Sequence, residues 1–420
     1  MADAVVARCV EHLDSLPTQP LYGVHDTEAL CRQMREPAPA AGTPLDGLLD
    51  DLFTTCIPHS FDTPSPGYLA YIPGGGLFAA APADFLADTA NRSTGIWQAA
   101  PSLVQLGADI RLCVSYTSDQ VHHCVNESAK LAGIMPDRVH TIATDAAFRL
   151  SVDALREAIA ADRAAGLLPF MVVSTAGTTN TGAVDPLNDV ADLCAAEGLW
   201  YHVDGAYGGF FRLCDDTRAV LRGLERADSL TRDPHKGMVM PYGTGALLVR
   251  DGALLRAAHA ATAGYLPDAP DAGEFYDPSQ HGPDLSRGFP GPRMWLTITL
   301  HGADAFRAAI TEKRAVEAAR RVAALPHVAM DAPPELSLFA FHLSWPGATL
   351  VQEDAATRML MDATSRRGRV MVSGAVAGGR YLGHVCVLSF RTYARQIDHL
   401  IDDMQAAMHD VLPSTLGQLQ

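Results

Sequence analysis

Apolar positions along this chain switch repeatedly between two periods, and the switches divide it into elements. From Asp3 to about Leu16, the residues Val5, Val6, Cys9, Val10 and Leu13 recur at helical spacing, and Pro17 and Pro20 stop the helix. A Pro/Ala-rich link, REPAPAAGTP, follows, so residues 1–64 read as an N-terminal arm. The middle of the chain alternates strand and helix. FMVVSTAGTTNTG opens as a buried strand and breaks into a Thr/Gly turn. Asp185 is expected to cap a helix that begins at Pro186 and buries Leu187, Val190, Ala191 and Cys194. That helix ends near Gly198 and feeds a second strand, LWYHV, which stops at Asp204.

Strand, crossover helix and strand make a parallel unit, whose right-handed connection leads to a doubly wound α/β sheet. Ligands of such sheets sit just beyond the carboxyl ends of the strands, where Thr175 and Asp204 both fall. Residues 65–320 are therefore read as a large α/β domain. The last hundred residues change character. LSLFAFHLSW, a helix from about Gln352 to Arg366, the strands RVMVSG and YLGHVCVLSF, and a closing helix with Ile397, Leu400, Ile401, Met404 and Met408 on one face predict a small α+β domain over residues 321–420.

Composition narrows the function classes. The chain has 420 residues, 48% hydrophobic and 19% charged, which is globular, and its net charge of −16 disfavours nucleic acid and anionic membrane as partners. The eight cysteines are scattered without paired spacing and read as reduced core thiols of a cytoplasmic protein. The N-terminus lacks the basic and apolar regions of a signal peptide, and no apolar run approaches membrane-spanning length. Sixteen histidines include no H-E-x-x-H and no Cys/His cluster, so no metal site is expected.

The candidate chemistry centres on DPHKGMVMPYGTG, residues 233–245. Lys236 sits between an Asp-Pro-His run and an apolar, glycine-rich tail leading to the strand ALLVR, a context that reads as buried. Burial disfavours an ammonium, so a lysine in such a place suits Schiff-base chemistry with an aldehyde. Asp204, at the end of an apolar strand, is either a turn aspartate or a functional carboxylate. A buried amine and a carboxylate converging on one sheet edge are what pyridoxal phosphate requires: one holds the aldehyde, the other keeps the pyridine nitrogen protonated. His122 and His123 open an amphipathic helix running through Val125, Ala129 and Leu131, and a histidine there is either a satisfied polar residue or a cover for the ring.

YTSDQVHHCVNESAKLAGI, STAGTTNTGAVDPL, HVDGAYGGF and ADSLTRDPHKGMVMPYGTGALLVRD occur in the order and spacing of the aromatic-L-amino-acid decarboxylase family, the pyridoxal-phosphate group II decarboxylases, which this chain resembles. The likeness extends to SPGYLAY, GIWQAAPS, LSRGFPGPRMWLTITLHG and VCVLSFRT. It implies the aspartate-aminotransferase-like fold type I, a homodimer, and decarboxylation of an L-amino acid, most readily an aromatic one, to amine and carbon dioxide. It implies that Lys236 holds the pyridoxal 5'-phosphate aldehyde, that Asp204 pairs with the pyridine nitrogen, and that His122 stacks on the ring and assists protonation. Thr175 and Ala206 would flank the cofactor, with His235 beside it. Tyr276, or alternatively Tyr265, would supply the proton after carbon dioxide leaves, and Tyr71, Pro73, Trp97 and Pro101 would line the substrate pocket or serve as packing. The resemblance also leads one to expect a Ser/Gly-rich phosphate-binding turn before YTSDQ, whereas PSLVQLGADIRLCVS carries only Gly107. Two other readings stay open: a decarboxylase-like dimeric scaffold without catalysis, and a pyridoxal-phosphate aldehyde synthase.

Overall fold

The structure is a computed structural model and describes residues 2–21, 44–59, 62, 64–70, 112–259, 280–282, 291–313 and 315–416. It falls into two compact units: Gly76–Glu312 with Pro334–Leu336, and Met1–Gly75 with Lys313–Pro333 and Ser337–Gln420.

The first unit is built on a six-stranded sheet. Its strands are β1 (Cys113–Ser118), β2 (Val139–Ile142), β3 (Leu168–Thr175), β4 (Trp200–Asp204), β5 (Ser229–Arg232) and β6 (Ala246–Val249), in the order β2-β1-β3-β4-β5-β6. All neighbours are parallel except β6, which runs antiparallel to β5. This is the mostly parallel α/β sheet the alternation predicts. The crossover helix Leu187–Glu197 buries Leu187, Val190, Ala191, Leu193 and Cys194 and ends at Gly198 in the left-handed region (φ 65°), where glycine is favoured. Its start differs from the expected cap. Pro186 holds the N-cap position with no side-chain bond, and the Asp185 carboxylate turns inward to accept backbone N–H groups of Leu150 and Thr175. An N-cap oxygen competes with other donors, and here two buried amides outside the helix win.

The second unit holds a four-stranded antiparallel sheet, β7 (Val328–Ala329), β8 (Leu338–Leu343), β9 (Ser373–Ala377) and β10 (Arg380–Cys386), in the order β7-β8-β10-β9. Helix Leu350–Arg366 opens with a capping box between Thr349 and Gln352, and helix Ala394–Leu416 buries Ile397, Leu400, Ile401, Met404 and Met408. The expected strand RVMVSG begins later, at Ser373, because Met371 instead bridges Tyr68 and its carbonyl accepts the Leu69 N–H. Those contacts place Leu69 in the same apolar cluster as Phe339, Phe341, Leu360 and Leu400. The sequence reading sets residues 1–64 apart as an arm and puts the last boundary at 320. By contacts, the N-terminal segment, Lys313–Pro333 and Ser337–Gln420 belong to one unit, and helix Val316–Ala323 packs Ala318, Ala319 and Val322 into its core. Among the described residues, no helix is long and apolar enough to cross a membrane.

Candidate active site

Parallel register sets Thr175 of β3 opposite Asp204 of β4, and Asp204 opposite Thr231 of β5. Side chains paired in register share a face, so three polar groups emerge side by side at the carboxyl edge of the sheet. One strand period back, Val173, His202 and Ser229 form a second row. A cavity of about 550 Å³ lies over these rows, within the range of small-molecule sites. Lys236, Asp204, His122, Thr175, Ala206, Asp233 and His202 line it, together with the apolar Val125, Ala129, Met171 and Val173.

Lys236 reaches the cavity from the one-turn helix Pro234–Gly237, which follows β5 directly. The helix is tied to the sheet at its start, where the Asp233 N–H donates to the Ala206 carbonyl (3.1 Å). Gly237 packs on Phe210, and a Cβ there would come within 2.9 Å of the Phe210 Cβ. Two residues later Val239 is held at φ 52°, a left-handed conformation that costs a β-branched residue about 1–3 kcal/mol and that only a well-determined surrounding maintains. The lysine is less enclosed than its sequence context predicts. Its side chain is 23% exposed, and Nζ lies 3.0 Å from Asp233 Oδ2. The apolar residues after it, Met238, Val239 and Met240, are buried, while the lysine itself faces the cavity.

Asp204 is both a turn aspartate and a cavity group, because its Oδ1 accepts the Ala206 N–H at 3.0 Å while the carboxylate lines the cavity. Gly208 closes the same turn by donating its N–H to the Ala176 carbonyl, and any Cβ at Gly208 would collide with that oxygen. Thr175 is buried, and its Oγ1 has no hydrogen-bond partner among the described residues. Cys124 N–H donates to His122 Nδ1 (3.3 Å), which leaves Nε2 as the nitrogen carrying the proton in the neutral ring. Burial, then the neighbouring His123 and Lys236, hold His122 below the ordinary histidine range, with Asp204 and Asp233 opposing. The His122 and His123 rings lie 4.3 Å apart. His235 Nδ1 lies 2.8 Å from the Thr244 carbonyl, so that nitrogen is the donor and Nε2 is the edge turned toward Asp233.

The helix after His123, Cys124–Leu131, does not bury an apolar face as its pattern suggests. None of its residues is buried, Leu131 is 87% exposed, and Val125 and Ala129 line the cavity instead. The cysteines are likewise not all core groups: Cys194, Cys214 and Cys386 are buried, whereas Cys124 is exposed. Tyr276, Tyr265, Tyr71, Pro73, Trp97 and Pro101 lie outside the described residues, as do residues 101–111 of the shortened segment before β1. Sequence reasoning missed His202 and Thr231, although the strand period of two puts His202 on the face of Asp204. His202 Nδ1 lies 2.8 Å from Ser229 Oγ, and burial lowers its pKa.

Asp185 supports the site from behind. Its oxygens take the N–H groups of Leu150 (2.8 Å) and Thr175 (2.7 Å), which fixes the end of β3. Burial raises its pKa to about 7, with the two backbone donors opposing. The folded state therefore holds this proton more tightly than the unfolded chain does. The stabilisation is full below about pH 4 and is lost as pH rises through about 7, by up to roughly 4 kcal/mol. Denaturant unfolding at pH 5 and pH 8 should show the wild type weaker at pH 8, and Asp185→Asn should flatten that difference. An unchanged difference in the variant would reject this assignment.

The profile of the pyridoxal-dependent decarboxylase conserved domain matches residues 108–343, more than half of the chain. The chain belongs to the pyridoxal-dependent decarboxylases. An aromatic-L-amino-acid decarboxylase of Bacillus atrophaeus is 29% identical over 96% of this decarboxylase and 93% of its own length. The solved 4-hydroxyphenylacetaldehyde synthase of Rhodiola rosea superposes with a TM-score of 0.87 at 25% identity, covering 98% of this chain and 97% of that one. The Oryza sativa TDC structure with PLP and tryptamine gives a TM-score of 0.89 at 24% identity over 97% of each chain. The decarboxylase has the fold type I architecture these structures share, and its donor set fits pyridoxal phosphate. An amine, a carboxylate at the next strand end, a histidine at the cavity wall and a buried hydroxyl without a partner among the described residues converge on one cavity of suitable size.

Proposed function

We propose that this decarboxylase converts an aromatic L-amino acid to its amine and carbon dioxide, acting as a homodimer in the cytoplasm. The observation that carries the reading is the convergence of Lys236, Asp204, His122 and Thr175 on one cavity. When bound, pyridoxal phosphate supplies the sink for the electron pair left as the carboxylate departs. Lys236 Nζ holds the aldehyde. Asp204 keeps a proton on the pyridine nitrogen, and its own orientation is fixed by the Ala206 N–H. Thr175, Ala206 and His122 all lie on the cavity wall; Thr175 and Ala206 would flank the cofactor, His122 would stack on its ring, and His235 would lie beside it. Neutral His122, with its proton on Nε2, is suited to hold or deliver a proton at the cavity wall. Val125, Ala129, Met171 and Val173 keep part of the cavity dry, which strengthens each of these charge interactions.

The aromatic preference is supported by the aromatic-amino-acid decarboxylase among the relatives and by the apolar cavity wall. Exposed Trp295, Leu300 and Leu131 supply apolar surface for a second subunit. Among the described residues no cysteine is joined in a disulfide, in keeping with a reducing compartment. Tyr276 is proposed as the proton donor to the substrate carbon. The test is to incubate the pyridoxal-phosphate-loaded protein with tryptophan, tyrosine and phenylalanine, and to quantify carbon dioxide and organic product by mass spectrometry. Amine and carbon dioxide in equal amounts are expected. An aldehyde product formed with oxygen uptake would move the protein to synthase chemistry, and absence of carbon dioxide from every amino acid would refute decarboxylation.

A further inference from the structure

We propose that His202 is a positioning residue: it clamps β5 to β4 through Ser229 and Thr231 and so fixes the spacing between Asp204 and Lys236, the two groups that must engage one cofactor ring together. The proposal rests on the reading of those two residues as the ring's counter-charge and the aldehyde-binding amine. Asp204 ends β4, whereas Lys236 stands on the one-turn helix that follows β5. The offset between the two strands therefore sets the distance from carboxylate to amine. The backbone register behind that offset is short, three pairs running from His202 and Ser229 to Asp204 and Thr231. A row of side chains on the cavity face reinforces it. Trp200 Nε1 donates to Ser229 Oγ (2.8 Å), Ser229 Oγ lies 2.8 Å from His202 Nδ1, and His202 Nε2 lies 3.3 Å from Thr231 Oγ1.

The row has one direction. An indole N–H only donates, so Ser229 Oγ accepts from Trp200. Ser229 is buried, and among the described residues His202 Nδ1 is the acceptor within reach of its hydroxyl proton, which would otherwise be buried unpaired. Nδ1 therefore accepts, the ring proton sits on Nε2, and Nε2 donates to Thr231. Burial, with Asp204 opposing, holds the imidazole below the ordinary histidine range, so it stays neutral as this pattern requires. Each ring nitrogen thus holds one of two successive cavity-face residues of β5. His202 and Thr231 line the cavity together with Asp204 and Lys236, so a slip of β5 would be felt at the site itself. Phenylalanine in place of His202 would fill much the same space and release both bonds.

The test compares the wild type with His202→Phe, Thr231→Val, their double variant and Ser229→Ala, each loaded with pyridoxal phosphate. Borohydride trapping should label Lys236 to the wild-type extent in all of them, because the amine itself is untouched. In His202→Phe the absorption spectrum of the captured cofactor should shift toward that of Asp204→Asn. Its kcat per labelled site should fall roughly 10- to 100-fold with KM little changed, the scale of a small misplacement of reacting groups. The double variant should lose no more than His202→Phe alone, since the two residues act as one unit. In the cofactor-free protein, nitrogen NMR of the histidine ring should find the His202 proton on Nε2. A wild-type spectrum and kcat in His202→Phe, additive losses in the double variant, or a proton on Nδ1 would each overturn the proposal. If His202→Phe does not fold, Ser229→Ala and Thr231→Val carry the same readouts. A lower unfolding temperature with kcat per labelled site unchanged would make the row merely structural and also overturn it. Failure of the wild type to label Lys236 would instead overturn the underlying assignment, and the proposal with it.

Discussion

Lys236→Ala is expected to abolish covalent capture of pyridoxal phosphate and to lower amine formation by roughly 10⁴-fold or more, the scale of losing a covalent nucleophile. The chain offers no substitute. It contains three lysines in all, Lys130, Lys236 and Lys313. Lys130 lies on the exposed helix surface, 2.8 Å from Glu127, and Lys313 is buried in the other unit, donating to the Thr392 carbonyl. The alanine variant should still fold, because the backbone bonds of the one-turn helix do not involve the side chain. Circular dichroism and thermal unfolding close to wild type, with no borohydride-stable adduct, would be the expected combination. Lys130→Ala, run in parallel, should capture the cofactor normally. Retained capture and turnover in the Lys236 variant would remove the lysine from the mechanism.

How far the site could be read from the sequence depends on where each residue's signal lies. Strand ends are marked by abrupt apolar-to-polar changes, so Thr175 and Asp204 could be placed at the sheet edge from FMVVST and LWYHVD, and the observed register puts them side by side. The same logic exposed the crossover helix and its end at Gly198. Side-chain partnerships leave no such mark. Nothing in DPHKG reveals that Asp233 turns back to Lys236, because one residue of rotation would aim it elsewhere. Nor does the turn before Pro186 reveal that Asp185 abandons the cap for amides at Leu150 and Thr175. His202 was legible in principle, since strand alternation puts it beneath Asp204, but a histidine in an apolar strand is commonly a packed polar residue. The apolar pattern of Cys124–Leu131 misled in the opposite direction: periodicity records which residues share a face, not whether that face is packed or lines a cavity.

Asp204→Asn separates charge from shape at the second critical position. In the wild type, Oδ1 accepts the Ala206 N–H at 3.0 Å, and an asparagine side-chain oxygen can make the same bond. The turn, the Gly208 contact with Ala176 and the register with Thr175 and Thr231 should all persist. What disappears is the negative charge at the carboxyl edge of the sheet, the property that would keep a pyridine nitrogen protonated. A neutral ring is a poor electron acceptor, so loss of this single electrostatic stabiliser should lower kcat by about 10²–10³-fold. The loss should fall on kcat more than on KM, because substrate binding does not require the protonated ring while bond breaking does. Lys236 remains, so covalent capture of pyridoxal phosphate should survive, with an altered absorption spectrum. A variant that captures cofactor, unfolds at the wild-type temperature and turns over slowly would establish Asp204 as the ring's counter-charge. A variant with unchanged kcat would instead assign Asp204 to the turn alone, and the electron sink would need another support.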